Sequence, residues 1–180
     1  MQETKKIQES ICKYLVHRGH ESICENYKHI IFEMDVVSLS KSGMLHEYEV
    51  KISRSDFLAD KKKHKKTGIT KFERYDKPIM NRENECPNYF YYVCPDGLID
   101  KNKIPIYAGL YYYADDLVWM VKNAKRIHNH SHDEKKILRK MLRLNIQRKY
   151  LGSCMLTYIN RKIREKNAER LKRDLNPSTL

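Results

Sequence analysis

The stretch Ile30-Ile31-Phe32-Glu33-Met34-Asp35-Val36-Val37-Ser38-Leu39 decides the fold together with the run that follows it, Met44-Leu45-His46-Glu47-Tyr48-Glu49-Val50-Lys51-Ile52. Between them lies Ser40-Lys41-Ser42-Gly43, a set of turn formers in which Gly43 takes positive φ without steric cost. The two runs read as antiparallel strands of a hairpin. A loop centred near Ser42 sets Asp35 directly opposite Glu49. Side chains alternate faces along a strand, so Glu49 and Lys51 share one face. Two carboxylates facing each other across a strand pair repel, and a cation held between them relieves that repulsion.

Working outward, residues 3–18 read as a helix, with Ile7, Ile11 and Leu15 in one stripe, Cys12 and Val16 beside it, and Gly19 as the stop. Ser53 opens a second helix with Asp56 near its positive end. That helix carries Phe57 and Leu58 and runs into Lys61, Lys62, Lys63, His64, Lys65 and Lys66. Residues 67–88 read as a long, basic, mobile loop. Tyr89 to Cys94 is a strand closed by Pro95-Asp96-Gly97, and further strands are expected at 104–106, 108–113 and 117–121. Helices interleaved with strands predict an α/β sandwich around a mixed sheet. From Ser131, which with Glu134 matches a capping box, the chain is helical again, interrupted at Gly152-Ser153, so an αα-hairpin is expected. The reading is a domain over 1–130 and a basic helical C-terminal extension over 131–180.

The 180 residues suffice for one domain with a core. Thirty-six Lys and Arg against 23 acids leave a formal charge of +13, concentrated in the segment from Lys122 to Arg173. That balance points to a polyanionic partner, with solubility as the plainer explanation. No run of apolar residues is long enough to cross a bilayer. Met1 to Ser10 is polar and lacks a signal region, so the chain reads as cytoplasmic, in a host cytoplasm if phage-encoded. Five scattered cysteines without a Cys-x-x-Cys fit free thiols in a reducing compartment.

An Asp on one strand and Glu-x-Lys on the next are the parts that metal-assisted phosphodiester hydrolysis needs. Carboxylates bind hard divalent ions through oxygen, and such an ion polarises the phosphate and acidifies a bound water. A lysine beside them positions or deprotonates that water and balances phosphate charge.

The order Asp35, then Glu49-Val50-Lys51, between a leading and a trailing helix, resembles the core of the PD-(D/E)XK nuclease superfamily. The continuation Ile52-Ser53-Arg54-Ser55-Asp56-Phe57-Leu58-Ala59-Asp60 is similar to a branch of small phage nucleases and bacterial DNA-repair proteins reading E-V-K-x-S-x-x-D-F-x-x-D. Tyr89 to Ile99 and Ala108-Gly109-Leu110 resemble the same branch, so the likeness covers residues 5–128. It implies a restriction-endonuclease-like sandwich with a central mixed sheet of about four strands flanked by helices. It also implies a Mg²⁺-dependent DNA endonuclease, Mn²⁺ substituting, in phage DNA processing or DNA repair. By that resemblance Asp35 and Glu49 are metal ligands, the Val50 carbonyl adds a third oxygen, and Lys51 is the catalytic lysine. The superfamily often adds a Glu from the first helix, for which Glu9 is the candidate and Glu3 the rival. Met34 stands where the motif's proline would be. The alternatives are a catalytically inactive DNA-binding module of the same fold and an RNA-directed nuclease.

The lysines at 61, 62, 63, 65 and 66 lie close enough to grip substrate phosphates; the plainer reading is a solvated charged face. Asp60 reads as a partner for lysines, and Asp56 equally as a helix-start acid or a neighbour of the metal. His128, His130 and His132 read as an exposed loop. Cys86 and Cys94 read as buried thiols. Trp119 and Tyr111-Tyr112-Tyr113 offer base-stacking surface, although alternation places at least one of those tyrosines in the core.

Overall fold

The computed structural model describes residues 2–28, 33–60, 70–76 and 86–150. The chain divides into two compact units, 1–141 and 142–180. The first is an α/β unit built on one six-stranded mixed sheet in the order β1-β2-β3-β4-β5-β6.

Helix α1 (Gln2–His17) buries Ile7, Ile11 and Leu15, the stripe expected from their spacing. Gly19, at φ 75°, ends it: His20 N–H donates to the Leu15 carbonyl and Gly19 N–H to that of Val16. This is the six-to-one and five-to-two pair of a Schellman cap, which needs a left-handed residue.

Strand β1 (Ser22–Lys28) follows, then β2 (Glu33–Leu39) and β3 (Leu45–Val50). The β2–β3 hairpin has the expected register, with Val36 opposite Tyr48, Val37 opposite Glu47 and Ser38 opposite His46. Its turn is closed by Ser40 and Met44 around Gly43 at φ 71°.

From β3 the chain crosses over through α2 (Arg54–Asp60) and α3 (Lys71–Asp76) to β4 (Tyr89–Pro95), which lies parallel to β3. Ser53 caps α2, its Oγ accepting from Asp56 N–H at 3.1 Å. Strand β5 (Gly109–Ala114) is parallel to β4, and β6 (Leu117–Lys122) returns antiparallel. A Cβ at Gly109 would lie 2.4 Å from the Tyr91 ring, so only glycine lets β5 lie this close.

Two apolar layers flank the sheet. On one face α1 meets Val36, Tyr48, Val50, Tyr91, Val93 and Tyr111. On the other, Phe57 of α2 and Tyr75 of α3 meet Phe90, Tyr92, Cys94 and Leu110. The tyrosines are largely core: Tyr48 stacks on Tyr91 at 5.1 Å between ring centroids, and Tyr91 meets Tyr111 at 5.3 Å.

The sheet departs from the expected four strands. Strand β1 went unread because Glu25-Asn26 breaks the alternation, and Asn26 sits at φ 41°. The segment read as a mobile loop contains α3. It is opened by a reciprocal capping box in which Thr70 N–H donates to the Glu73 carboxylate and Glu73 N–H to Thr70 Oγ1. Ile104 is buried in a turn rather than a strand.

Residues 134–150 are helical (α4), and the boundary between the two units falls within that run. The cap of α4 is Asp133, whose Oδ1 accepts from Lys136 N–H, and not Ser131. The expected second helix of the C-terminal extension lies outside the described residues. Among the described residues, no helix is long and apolar enough to cross a membrane.

Candidate functional site

Alternation along β3 turns Glu47, Glu49 and the following Lys51 to the face covered by α2 and α3. Tyr48 and Val50 turn to α1. The β2–β3 register places Asp35 on the same face as Glu49. There its Oδ2 accepts from the Val50 N–H at 2.8 Å. Asp35 thus stands in for the backbone partner that β3 would otherwise find on β2.

Lys51 is the centre of the cluster, at 2% exposure. Its backbone N–H continues the ladder to the Val93 carbonyl. Its Nζ donates to Glu49 Oε1 at 2.9 Å and lies 3.1 Å from Asp60 Oδ1, with Asp56 Oδ1 at 3.9 Å. A buried ammonium survives only where carboxylates surround it. Burial works against the charge, but Glu49 and Asp60 outweigh it and hold Lys51 above the ordinary lysine range. Asp60, 3% exposed at the end of α2, is therefore part of the cluster. Its expected pairing with lysine is met by Lys51. Asp56 stays half-exposed in the first turn of α2.

Glu47 and Tyr75 extend the polar set deeper. Glu47 is fully buried, and Tyr75 Oη donates to its Oε2 at 2.6 Å. Burial, then the Glu47 charge, pushes the Tyr75 phenol well above its usual range, so it remains a donor. Neither residue was singled out in the sequence. Glu47 shares the parity of Glu49 and Lys51, and the Thr70-x-x-Glu73 box marks the helix that delivers Tyr75; both signals were there to be used.

Glu9 does not join this group. Its side chain is 52% exposed and pairs with Lys5 at 3.8 Å. The reason is geometric: α1 lies on the opposite face of the sheet from Glu49 and Lys51. The α1 side chain that reaches Asp35 is the preceding one, Gln8, through Nε2 to the Asp35 carbonyl at 3.4 Å and to Asn26 Oδ1 at 3.2 Å. The rival Glu3 is exposed as well. The lysines at 61, 62, 63, 65 and 66 lie outside the described residues.

Asp35, Glu49 and the Val50 carbonyl are all oxygen donors, a set suited to a hard cation such as Mg²⁺. The Val50 N–H points to Asp35, and a strand residue presents its N–H and C=O to the same neighbour, so the carbonyl faces that side too. Among the described residues, no three His, Cys, Asp or Glu side chains gather closely enough to hold a metal ion by themselves. Any ion here would rely on the backbone carbonyl and water to complete its shell.

The remaining candidates have structural surroundings. The histidine loop is not wholly exposed: His132 is buried, and the Asn88 amide donates to the carbonyls of His128 and His130. Asn88 Oδ1 in turn accepts from Leu45 N–H, tying the loop to the start of β3. Cys86 and Cys94 are buried, and burial pushes the Cys94 thiol up to about 12. Tyr111 is core, Tyr112 Oη donates to the Ile99 carbonyl, and Trp119 meets Tyr112 edge-on at 6.2 Å.

No family model matches this chain, and no curated protein matches it. Among solved structures it is similar to a protein of unknown function from Silicibacter pomeroyi. The two are 19% identical, with a TM-score of 0.52, over 70% of this chain and 75% of that one. At this identity the likeness speaks to the fold alone. Fold and site together define an α/β protein with a six-stranded mixed sheet and a buried acid–lysine cluster at the β2–β3 hairpin.

Proposed function

We propose that this chain is a metal-dependent DNA endonuclease of the PD-(D/E)XK type, and that Asp35, Glu49 and Lys51 form its centre. The observation that carries the reading is the shared face. Asp35 is fastened to the Val50 amide beside Glu49, and Glu49 is bonded to Lys51. The excess of Lys and Arg supports a polyanionic substrate.

Asp35, Glu49 and the Val50 carbonyl would hold Mg²⁺, or Mn²⁺ in its place. When bound, the ion supplies Lewis-acid polarisation of the phosphate and an acidified water. The Val50 amide orients Asp35 through its bond to Oδ2. Lys51, held as an ammonium, donates: it positions a water or a phosphate oxygen and offsets negative charge, and takes no proton in that form. Asp60 anchors that ammonium from α2, so helix and hairpin fix it jointly.

Purified protein is expected to cleave single-stranded, duplex or branched DNA in Mg²⁺ and not in EDTA. Glu49→Ala is expected to abolish cleavage and retain DNA binding; full cleavage by that variant refutes the assignment.

A second reading, a DNA-binding module of the same fold without catalysis, is favoured by one observation. Lys51 is enclosed by carboxylates of its own chain, as a structural ion pair would be. Binding of DNA with no metal-dependent product selects this reading.

A further inference from the structure

Strand β6 closes one end of the sheet, and among the described residues no strand pairs with its outer edge. Such an edge offers a row of backbone donors and acceptors to any strand that fits. Chains that stay monomeric guard it with proline, charge or a covering segment. The opposite edge, β1, is guarded in this way: it carries Glu25, the left-handed Asn26 and Lys28. Strand β6 is not. Leu117-Val118-Trp119-Met120-Val121 contains neither charge nor proline. Leu117, Trp119 and Met120 are 68%, 40% and 39% exposed.

Charge at the two ends of β6 says what fits. The turn before it, Asp115-Asp116, has φ 49° and 62° at its two residues, the pattern of a tight hairpin turn that Asp tolerates. Two negative charges thus sit at the start of β6, while Lys122 and then Lys125 sit at its end. A strand acidic at its start and basic at its finish complements itself when laid antiparallel to its own copy. The β5–β6 register shift beside Leu110 and Tyr111 leaves Leu117 to Met120 as the regular part available for pairing.

We propose that β6 is a homodimer interface: two copies of this chain join antiparallel along β6, about a two-fold axis through the Val118 pair. In that register Val118 lies across from Val118 of the second copy and Leu117 across from Trp119. Asp115 falls beside Lys122, and the two-fold repeats each contact. The two sheets become one continuous sheet. A strand pair of this length is smaller than a standard interface, so association depends on protein concentration.

The test is sedimentation velocity on the full chain, freed of nucleic acid, at loadings from about 5 to 200 µM, the range in which a small interface self-associates. The wild type is expected to shift from monomer to dimer across that range. Trp119→Lys places a charge on the exposed edge and is expected to remain monomeric with an unchanged circular dichroism spectrum. Lys122→Glu sets like charges beside Asp115 twice over and is expected to weaken dimerisation at least about tenfold. Adding Asp115→Asn to Lys122→Glu is expected to restore part of the loss, which a mere folding defect would not allow. A wild type that stays monomeric throughout overturns the proposal, as does a dimer indifferent to both Trp119→Lys and Lys122→Glu.

Discussion

The two faces of the central sheet are made from alternate residues of the same strands, and both carry an apolar layer, yet at β3 they are chemically opposite. Toward α1, β3 presents Tyr48 and Val50, and the neighbouring strands add Val36, Tyr91, Val93 and Tyr111. Toward α2 and α3 the same strand presents Glu47, Glu49 and Lys51. Each of these polar residues is at most 7% exposed. The first face gains stability from apolar burial. The second gives some of that up to hold charges in fixed positions, and buried charge is seldom kept for stability alone. In the proposed reading, the α2 side carries the function and the α1 side the scaffold.

The contrast breaks most visibly at Lys51. Lys51→Met removes the buried ammonium that Glu49 and Asp60 share, and is expected to cost about 3–5 kcal/mol in urea unfolding. A loss below about 1 kcal/mol would mean that the cluster is open to water and screened. On the other face, Ile11→Ala removes fully buried apolar volume and is expected to cost about 2–5 kcal/mol. Any DNA cleavage should survive in the fraction that stays folded. Abolished cleavage in fully folded Ile11→Ala would erase the division of labour.

A smaller effect sharpens the deep end of the polar face. Tyr75→Phe deletes the hydrogen bond to the buried Glu47 carboxylate, and a loss of about 1.5–3 kcal/mol is expected by denaturant titration. An unchanged midpoint would show that the Glu47 carboxylate does not depend on that phenol.

A further test concerns pH on the α1 face. His46 stacks on Tyr89 at 4.7 Å, and burial, helped by the His20 charge, lowers its imidazole from 6.5 to about 3. Above pH 6.5 the ring is neutral in both folded and unfolded chains and adds no pH dependence. As pH falls from 6.5 toward 3 the unfolded chain takes a proton that the folded one refuses, so stability declines across that window. His46→Phe should flatten this part of the stability–pH curve, measured by thermal melts at closely spaced pH values. An unaltered slope assigns the acid sensitivity to other groups.

Much of this division was legible in the amino-acid order. The turn at Ser40–Gly43 and period-two alternation placed Asp35, Glu49 and Lys51 on one face, because a hairpin register follows from its turn. Ile7, Ile11 and Leu15 gave the buried side of α1 for the same kind of reason. Glu9 stands apart because α1 packs on the other face of the sheet; even the inward neighbour Gln8 reaches only the Asp35 backbone carbonyl. Strand β1 was hidden by its polar residues, and α3 by the basic composition around its capping box. Asp60 gave no signal of burial, since its partner Lys51 is nine residues away and meets it only once α2 folds back over the sheet.

The most direct measurement is a crystal of the wild-type protein soaked in Mn²⁺ and examined by anomalous scattering. The proposed site requires a peak between the Asp35 and Glu49 carboxylates, beside the Val50 carbonyl, that vanishes in Glu49→Ala. Well-ordered density for both carboxylates with no peak between them would contradict it.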